Sequence, residues 1–156
     1  MDASPSPRTV VCGVDDSPAA RAGLGVARDL AGALDLRLVV AHAARPLMVP
    51  RPPPIGVSYP PGLLDELRAG SVAAGERLLE DLLADLPADG HDRHVEIGAP
   101  APVLLALARD RDAAFVVLGS RGLGGVARAV LGSVSRAALA SAPCPVVIVP
   151  AGRAGD

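Results

Sequence analysis

The sequence predicts an α/β domain: a doubly wound, Rossmann-like, five-stranded parallel sheet with helices on both faces. Three observations lead there. Short apolar runs (TVVCGV, LRLVVAHA, FVVL, PVVIV) recur along the 156 residues and alternate with stretches of helical periodicity. Those runs have few polar interruptions, as expected for strands buried on both faces by helices. Half of the residues are apolar, and the length suits one domain burying roughly two-thirds of its unfolded surface. Right-handed crossovers then wind the strands into an open sheet.

The first strand is expected over Thr9–Val14. Ser17 follows as a cap and Pro18 suits the first turn of a helix, where an amide would be unpaired in any case. Ala20, Leu24, Ala27 and Ala31 recur at helical spacing to about Leu34, and Leu36–Ala43 is the second strand. Seven prolines between Arg45 and Gly62 exclude a helix or a central strand and mark a flap. A second helix runs from Leu63 to Leu86, with Leu64, Leu67, Ser71, Leu78 and Leu82 on one face and Gly70 and Gly75 weakening it. His94–Ile97 is the third strand, with His91 and Asp92 in its approach. Helix three is Pro102–Arg109, strand four Phe115–Leu118, helix four Gly132–Ser141 and strand five Pro145–Val149. Residues 1–8 and 151–156 are expected to be flexible ends around a domain at 9–150.

Composition removes several function classes. Aromatics are confined to Tyr59 and Phe115, so stacking platforms for single-stranded nucleic acid are absent. The net charge of −2 offers no basic face to a duplex. The chain has no lysine, which excludes a Walker phosphate loop and Schiff-base catalysis. No run of about eighteen apolar residues predicts a membrane span, MDASPSPRTV lacks the features of a signal peptide, and a cytoplasmic protein is expected. Cys12 and Cys144 read as buried thiols.

The stretch GSRGLGGVARAVLGS, from Gly119 to Ser133, holds five glycines just after strand four. Glycine is costly to order, so their concentration at the carboxyl end of a strand points to something approaching the backbone. Gly119 turns the chain and Gly122 presents a bare amide. Gly132 and Ser133 open a helix whose unpaired amides carry partial positive charge. An anion at that terminus is held by backbone donors and the Ser133 hydroxyl, without a lysine. Arg121 and Arg128 are candidate added charges. Asp15 suits either a ribose hydroxyl, a metal-bound water, or a cap on helix one, a role that Asp16 can also fill. Backbone groups near Ala43 can read an adenine edge.

These residues resemble the universal stress proteins. VVCGVDDSPAARAGL is similar to that family's first strand and helix, and LVVAHA to its second strand. GSRGLGGVARAVLGSVSRAALASAPCPVVIVP matches its carboxyl-terminal signature G-x2-G-x9-G-[ST] at Gly119, Gly122, Gly132 and Ser133. The resemblance implies strand order 3-2-1-4-5 and an ATP-binding, nucleotide-responsive stress protein, with magnesium accompanying the nucleotide. It places Val14 and Ala43 at the adenine, Asp15 at the ribose or metal, and Gly119 at the ribose-phosphate turn. Gly122, Gly132, Ser133, Val134 and Ser135 hold the phosphates. It also implies a homodimer through the strand bounded by Pro145 and Pro150. The sequence departs from the family at Asp16, where many members have glycine, and in the proline content of the flap.

Three alternatives stand beside that expectation. A slow ATP hydrolase would need a positioned base, and His42 is the one candidate near the cleft; no nucleophile–base pair or metal-ligand spacing is legible. The pyrophosphate-releasing hydrolases of similar architecture carry SGGxDS after strand one, where this chain has VDDSP. A structural dimer that binds no nucleotide leaves the glycine motif without a role.

Overall fold

The computed structural model describes residues 8–45, 48–87, 90–122 and 131–152. The elements run β1 (Thr9–Gly13), α1 (Pro18–Leu34), β2 (Arg37–Ala44), α2 (Leu63–Leu83), β3 (His91–Ile97), α3 (Pro100–Asp110), β4 (Ala113–Gly119), α4 (Ser133–Ser141) and β5 (Val146–Val149). All pairings are parallel and the strand order is β3-β2-β1-β4-β5. Residues 1–7 and 153–156, within the expected flexible ends, lie outside the described residues, as do Arg128 and the rest of the segment 123–130.

Alternation along each strand divides the core in two. Val10, Cys12, Val40 and Val117 pack with Ala20, Leu24, Ala27 and Ala31 of α1 and Leu79 and Leu83 of α2. Val11, Val39, Val116 and Leu118 pack on the opposite face with Leu104, Leu105 and Leu107 of α3 and Ala138 of α4. The small side chains of α1 allow it to lie close on the sheet. Ser17 starts this helix as expected: its hydroxyl oxygen accepts from the Ala20 amide at 3.1 Å, and Pro18 sits in the first turn.

Two expectations need correction. The face of α2 turned to the sheet carries Gly75, Leu79 and Leu83, not the row from Leu64 to Leu82, although Leu82 packs at its margin. Gly75 explains the rotation, because a Cβ there would stand 2.7 Å from Val95 Cγ1 and 3.0 Å from His42 Cδ2. The glycine that weakens the isolated helix is what seats it. Strand three also begins at His91, three residues before the expected start. Its polar opening residues pair as an edge strand: Arg37 on β2 makes two hydrogen bonds to Asp92, at 2.7 and 3.0 Å, and Arg111 adds one at 3.3 Å. The Arg37 guanidinium holds the Asp92 carboxyl below the usual carboxylate range.

Among the described residues no helix is long and apolar enough to cross a membrane. Both cysteines are free. Cys12 is fully buried, and burial pushes its thiol up to about 12; the partly buried Cys144 is raised for the same main reason.

Candidate functional site

The strand order reverses between β1 and β4, so the connections leaving their carboxyl ends diverge and open a crevice. A cavity of about 640 Å³ occupies it, within the range of small-molecule sites. The structure brings together nine of the residues singled out from the sequence: Val14, Asp15, Ala43, Gly119, Gly122, Gly132, Ser133, Val134 and Ser135 all line this cavity. Arg121 lines it as well. Asp16 does not; it is exposed and pairs with Arg21, so the acidic residue in place of the family's glycine leaves the cleft uncrowded.

One wall is built by ending a strand ladder. Val14 donates its amide to Ala41 O at 2.9 Å, and Gly98 donates to Ala44 O at 3.0 Å. Neighbouring residues of a strand turn their backbone groups to opposite sides, so Ala43 turns its N–H and C=O toward β1, past that strand's last residue. The chain turns away from the ladder there, and the Val14 carbonyl accepts from His42 Nδ1 at 2.9 Å. A carbonyl only accepts, so Nδ1 carries the proton. The result is a donor–acceptor pair on the half-buried Ala43, in a cavity that Ala41, Leu104 and Pro100 also line. Sequence reasoning missed Pro100 and Leu104, since apolar residues at the start of a helix read as core. Leu104 also packs against Gly13, where a Cβ would lie 2.5 Å from its Cδ1.

Two helix N-termini reach the cavity, and they differ. That of α1 is satisfied locally: Asp15 Oδ1 accepts from the Ser17 amide at 3.0 Å and Ser17 Oγ from the Ala20 amide. Ser17 also donates to Arg121 O at 3.3 Å, tying the β1 turn to the β4 turn. Asp15 thus belongs to the turn ahead of helix one, while Ser17 is the cap. Helix α4 has Gly132 at its N-cap, which supplies no capping side chain; the first bond back to it comes from the Arg136 amide, at 3.0 Å. The amides of Ser133, Val134 and Ser135 belong to the first turn, where no intrahelical acceptor exists. Partial positive charge gathers there.

The glycines at 119, 122 and 132 have different local neighbours. A Cβ on Gly119 would sit 2.6 Å from Ala19 C and 2.7 Å from Ala20 N, so its bareness lets α1 cross the end of β4. A Cβ on Gly122 would lie 2.5 Å from Asp15 Oδ2. On Gly132 it would meet only ordinary contacts, the nearest 3.5 Å away at Ser120 O. The Gly132 amide donates to Ser120 O at 2.8 Å, which holds the two arms of the loop together. The buried Ser135 hydroxyl donates to Gly119 O at 2.9 Å and braces the same turn.

This architecture defines the class: a doubly wound α/β domain with a cleft at its topological switch point and an uncapped helix N-terminus facing into it. A match to the universal stress protein family spans residues 7–150, and the chain belongs to that family. It is 31% identical over 142 residues to a universal stress protein of Thermus aquaticus, covering 91% of this chain and 98% of that one. It is 32% identical over 154 residues to one of Mycobacterium tuberculosis, covering 96% of this chain but only half of that protein's length. Among solved structures, the universal stress protein from Archaeoglobus fulgidus in complex with dAMP superposes with a TM-score of 0.63 at 21% identity, covering 92% of this chain and 98% of that one. A universal stress protein in complex with cAMP gives 0.59 at 23% identity, covering 94% and 99%.

Proposed function

We propose that the cleft binds an adenine nucleotide, ATP carried with magnesium, and that the chain is a nucleotide-responsive stress protein of the cytoplasm rather than an enzyme. The observation that carries this is the pairing of the uncapped α4 N-terminus with the bare backbone at Gly122 and Gly132, within one cavity. Phosphate is the ligand such a terminus favours. Two proteins of the same fold, solved in complex with dAMP and with cAMP, support a nucleotide as the class of ligand. Adenine needs a donor for N1 and an acceptor for its amino group, and Ala43 offers one of each. Val14 lies at the base, Asp15 at the ribose or metal, and Gly119 at the turn between ribose and phosphates. Ser133, Val134 and Ser135 contribute first-turn amides, and Ser133 adds a hydroxyl.

The donor set fits a magnesium ion that arrives on the phosphates. Among the described residues no three acidic, histidine or cysteine groups gather into a metal cage. Phosphate-borne magnesium needs only one or two carboxylates, with waters completing its shell, and Asp15 is the carboxylate lining this cleft. His42, the one imidazole there, holds the Val14 carbonyl, a positioning role that favours binding over hydrolysis.

Binding to the folded state alone must raise thermal stability. ATP with magnesium is expected to raise the melting temperature, and acid extraction of freshly purified protein to release adenine nucleotide. A melting temperature unmoved by millimolar ATP, with no nucleotide released, contradicts the proposal.

A homodimer through β5 belongs to the same proposal. Pro145 accepts from Val116 of β4 and Val149 from Ser120 just beyond it, so Val146 and Ile148 turn their backbone groups outward from the sheet edge. Antiparallel pairing of two such edges closes them symmetrically. Pro150, in the outward register and without an N–H, ends the pairing. The side chains do not form this edge: Val146 and Ile148 pack on one core layer, Val147 and Val149 on the other. An aspartate at 147 or 148 would therefore strike the core. Light scattering on the unaltered chain is the cleaner test, and a dimer mass is expected; a monomer at high concentration rules the dimer out.

A further inference from the structure

A second cavity, of about 310 Å³, opens between the end of β2 and helix α2, at the lower end of the range of small-molecule sites. On its helix side Gly70, Ala74 and Gly75 leave the α2 backbone nearly bare, and a Cβ on Gly70 would meet nothing within 4 Å. On its strand side stand His42 and Arg45, which line the larger cleft as well. His42 decides what this cavity can accept. Its side chain shares the face of β2 on which Val40 packs toward α1 and α2, and its Cδ2 lies 3.0 Å from where a Cβ on Gly75 would be. Nδ1 donates to the Val14 carbonyl, so in the uncharged ring Nε2, the atom beside Cδ2, is left as an acceptor. Among the described residues every buried side-chain nitrogen and oxygen has a hydrogen-bond partner. Nε2 makes no such bond with them, so it reaches open space. Ser71 lines the cavity with a second acceptor: its hydroxyl donates to Leu67 O at 3.0 Å and keeps its lone pairs for a ligand. Arg45 brings a cation that only donates.

We propose that this cavity binds a small carboxylic acid with a hydrogen-bond donor on its α-carbon, an amino or hydroxy acid. Two uncharged acceptors beside a guanidinium call for a ligand that carries donors and an anionic group together. The carboxylate pairs with Arg45, whose planar fork matches it. The ammonium or hydroxyl donates to His42 Nε2 and Ser71 Oγ, and a short hydrocarbon side chain lies along Gly70 and Ala74. A carboxylate without a donor leaves both acceptors unpaired, which a site built for hydrogen bonding penalises. The site stands whether or not the larger cleft holds a nucleotide.

Amide NMR of the full chain, titrated with alanine, lactate and propionate, tests this. Alanine and lactate are expected to shift the Gly70, Ser71 and Ala74 amides saturably. Propionate has the carboxylate and no donor, and should bind about tenfold more weakly, the loss of one hydrogen bond or more. Gly70→Leu fills the cavity from an open helical position, and Arg45→Gln removes the cation. Both positions are exposed, so the melting temperature is expected to hold or rise while the shifts disappear. No saturable shift with alanine or lactate at tens of millimolar overturns the proposal. Propionate binding as tightly as alanine overturns it too, as does alanine binding undiminished in both variants. ATP titrated into the same samples reports on the larger cleft, so the failure of either reading is seen apart from the other.

Discussion

Gly119→Ala is expected to destabilise the ligand-free protein more than any other single-methyl change at the cleft. The added Cβ would be forced against Ala19 C at 2.6 Å and Ala20 N at 2.7 Å. Both are backbone atoms in the first turn of α1, so no rotamer change relieves the clash and the helix must lift off β4. Overpacking of this kind costs about 1–3 kcal/mol, a large part of a total stability of roughly 5–15 kcal/mol. For a chain of this size the melting temperature falls by about 2–10 °C. Gly25→Ala is the matched control: nothing lies within 4 Å of its Cβ in the interior of α1, and alanine there adds roughly 0.5–1 kcal/mol of stability. Thermal unfolding followed by circular dichroism reads both. An unchanged melting temperature for Gly119→Ala would remove the packing role assigned to this glycine.

Gly132→Val is expected to do the reverse, leaving the fold intact and removing ATP. The backbone at Gly132 is extended, with φ −71° and ψ 168°, which a branched residue adopts readily. A Cβ there meets only ordinary contacts, the closest at 3.5 Å. Two further methyl groups would crowd the Gly122 amide and the mouth of the α4 terminus. Loss of even one charge-assisted hydrogen bond, about 1.5–3 kcal/mol, weakens ATP by roughly tenfold to a hundredfold. Adenosine, which does not reach this end, should bind as before. Gly122→Val is a poorer probe, because its Cβ would first displace the Asp15 carboxylate. If Gly132→Val unfolds the ligand-free protein, the glycine serves backbone geometry and the cradle loses its support.

The contrast between these two glycines shows how far the sequence could be read. Spacing on the chain located the loop, the helix it opens and the strand before it, because each leaves a local mark: an apolar run, a cluster of glycines, a helical period. It could not say which glycine faces α1 and which faces the cavity, since that depends on how α1 crosses β4. Helix α2 makes the same point. Its leucines are spread around the helix, so periodicity points to the row from Leu64 to Leu82, whereas Gly75, beside Val95 and His42, seats the helix on Leu79 and Leu83. The polar opening of β3 was missed because an edge strand stabilised by Arg37 and Asp92 has no apolar run to announce it. Within the site, the end of the β1–β2 ladder depends on an imidazole at position 42 reaching a carbonyl at 14. Leu104 and Pro100 enter the cavity wall from a helix far along the chain. Those contacts are set by the crossing of elements and carry no local signature.

In the proposed complex a helix terminus and bare loop backbone hold the phosphates of an adenine nucleotide. Calorimetric titration of the unaltered chain with magnesium-ATP and, separately, with adenosine tests it most directly. Both ligands share the base and the ribose, so any difference comes from the phosphate end. ATP is expected to bind tighter by at least about tenfold, the contribution of one charge-assisted hydrogen bond or more. Equal affinities, or no binding at millimolar ATP, would contradict it.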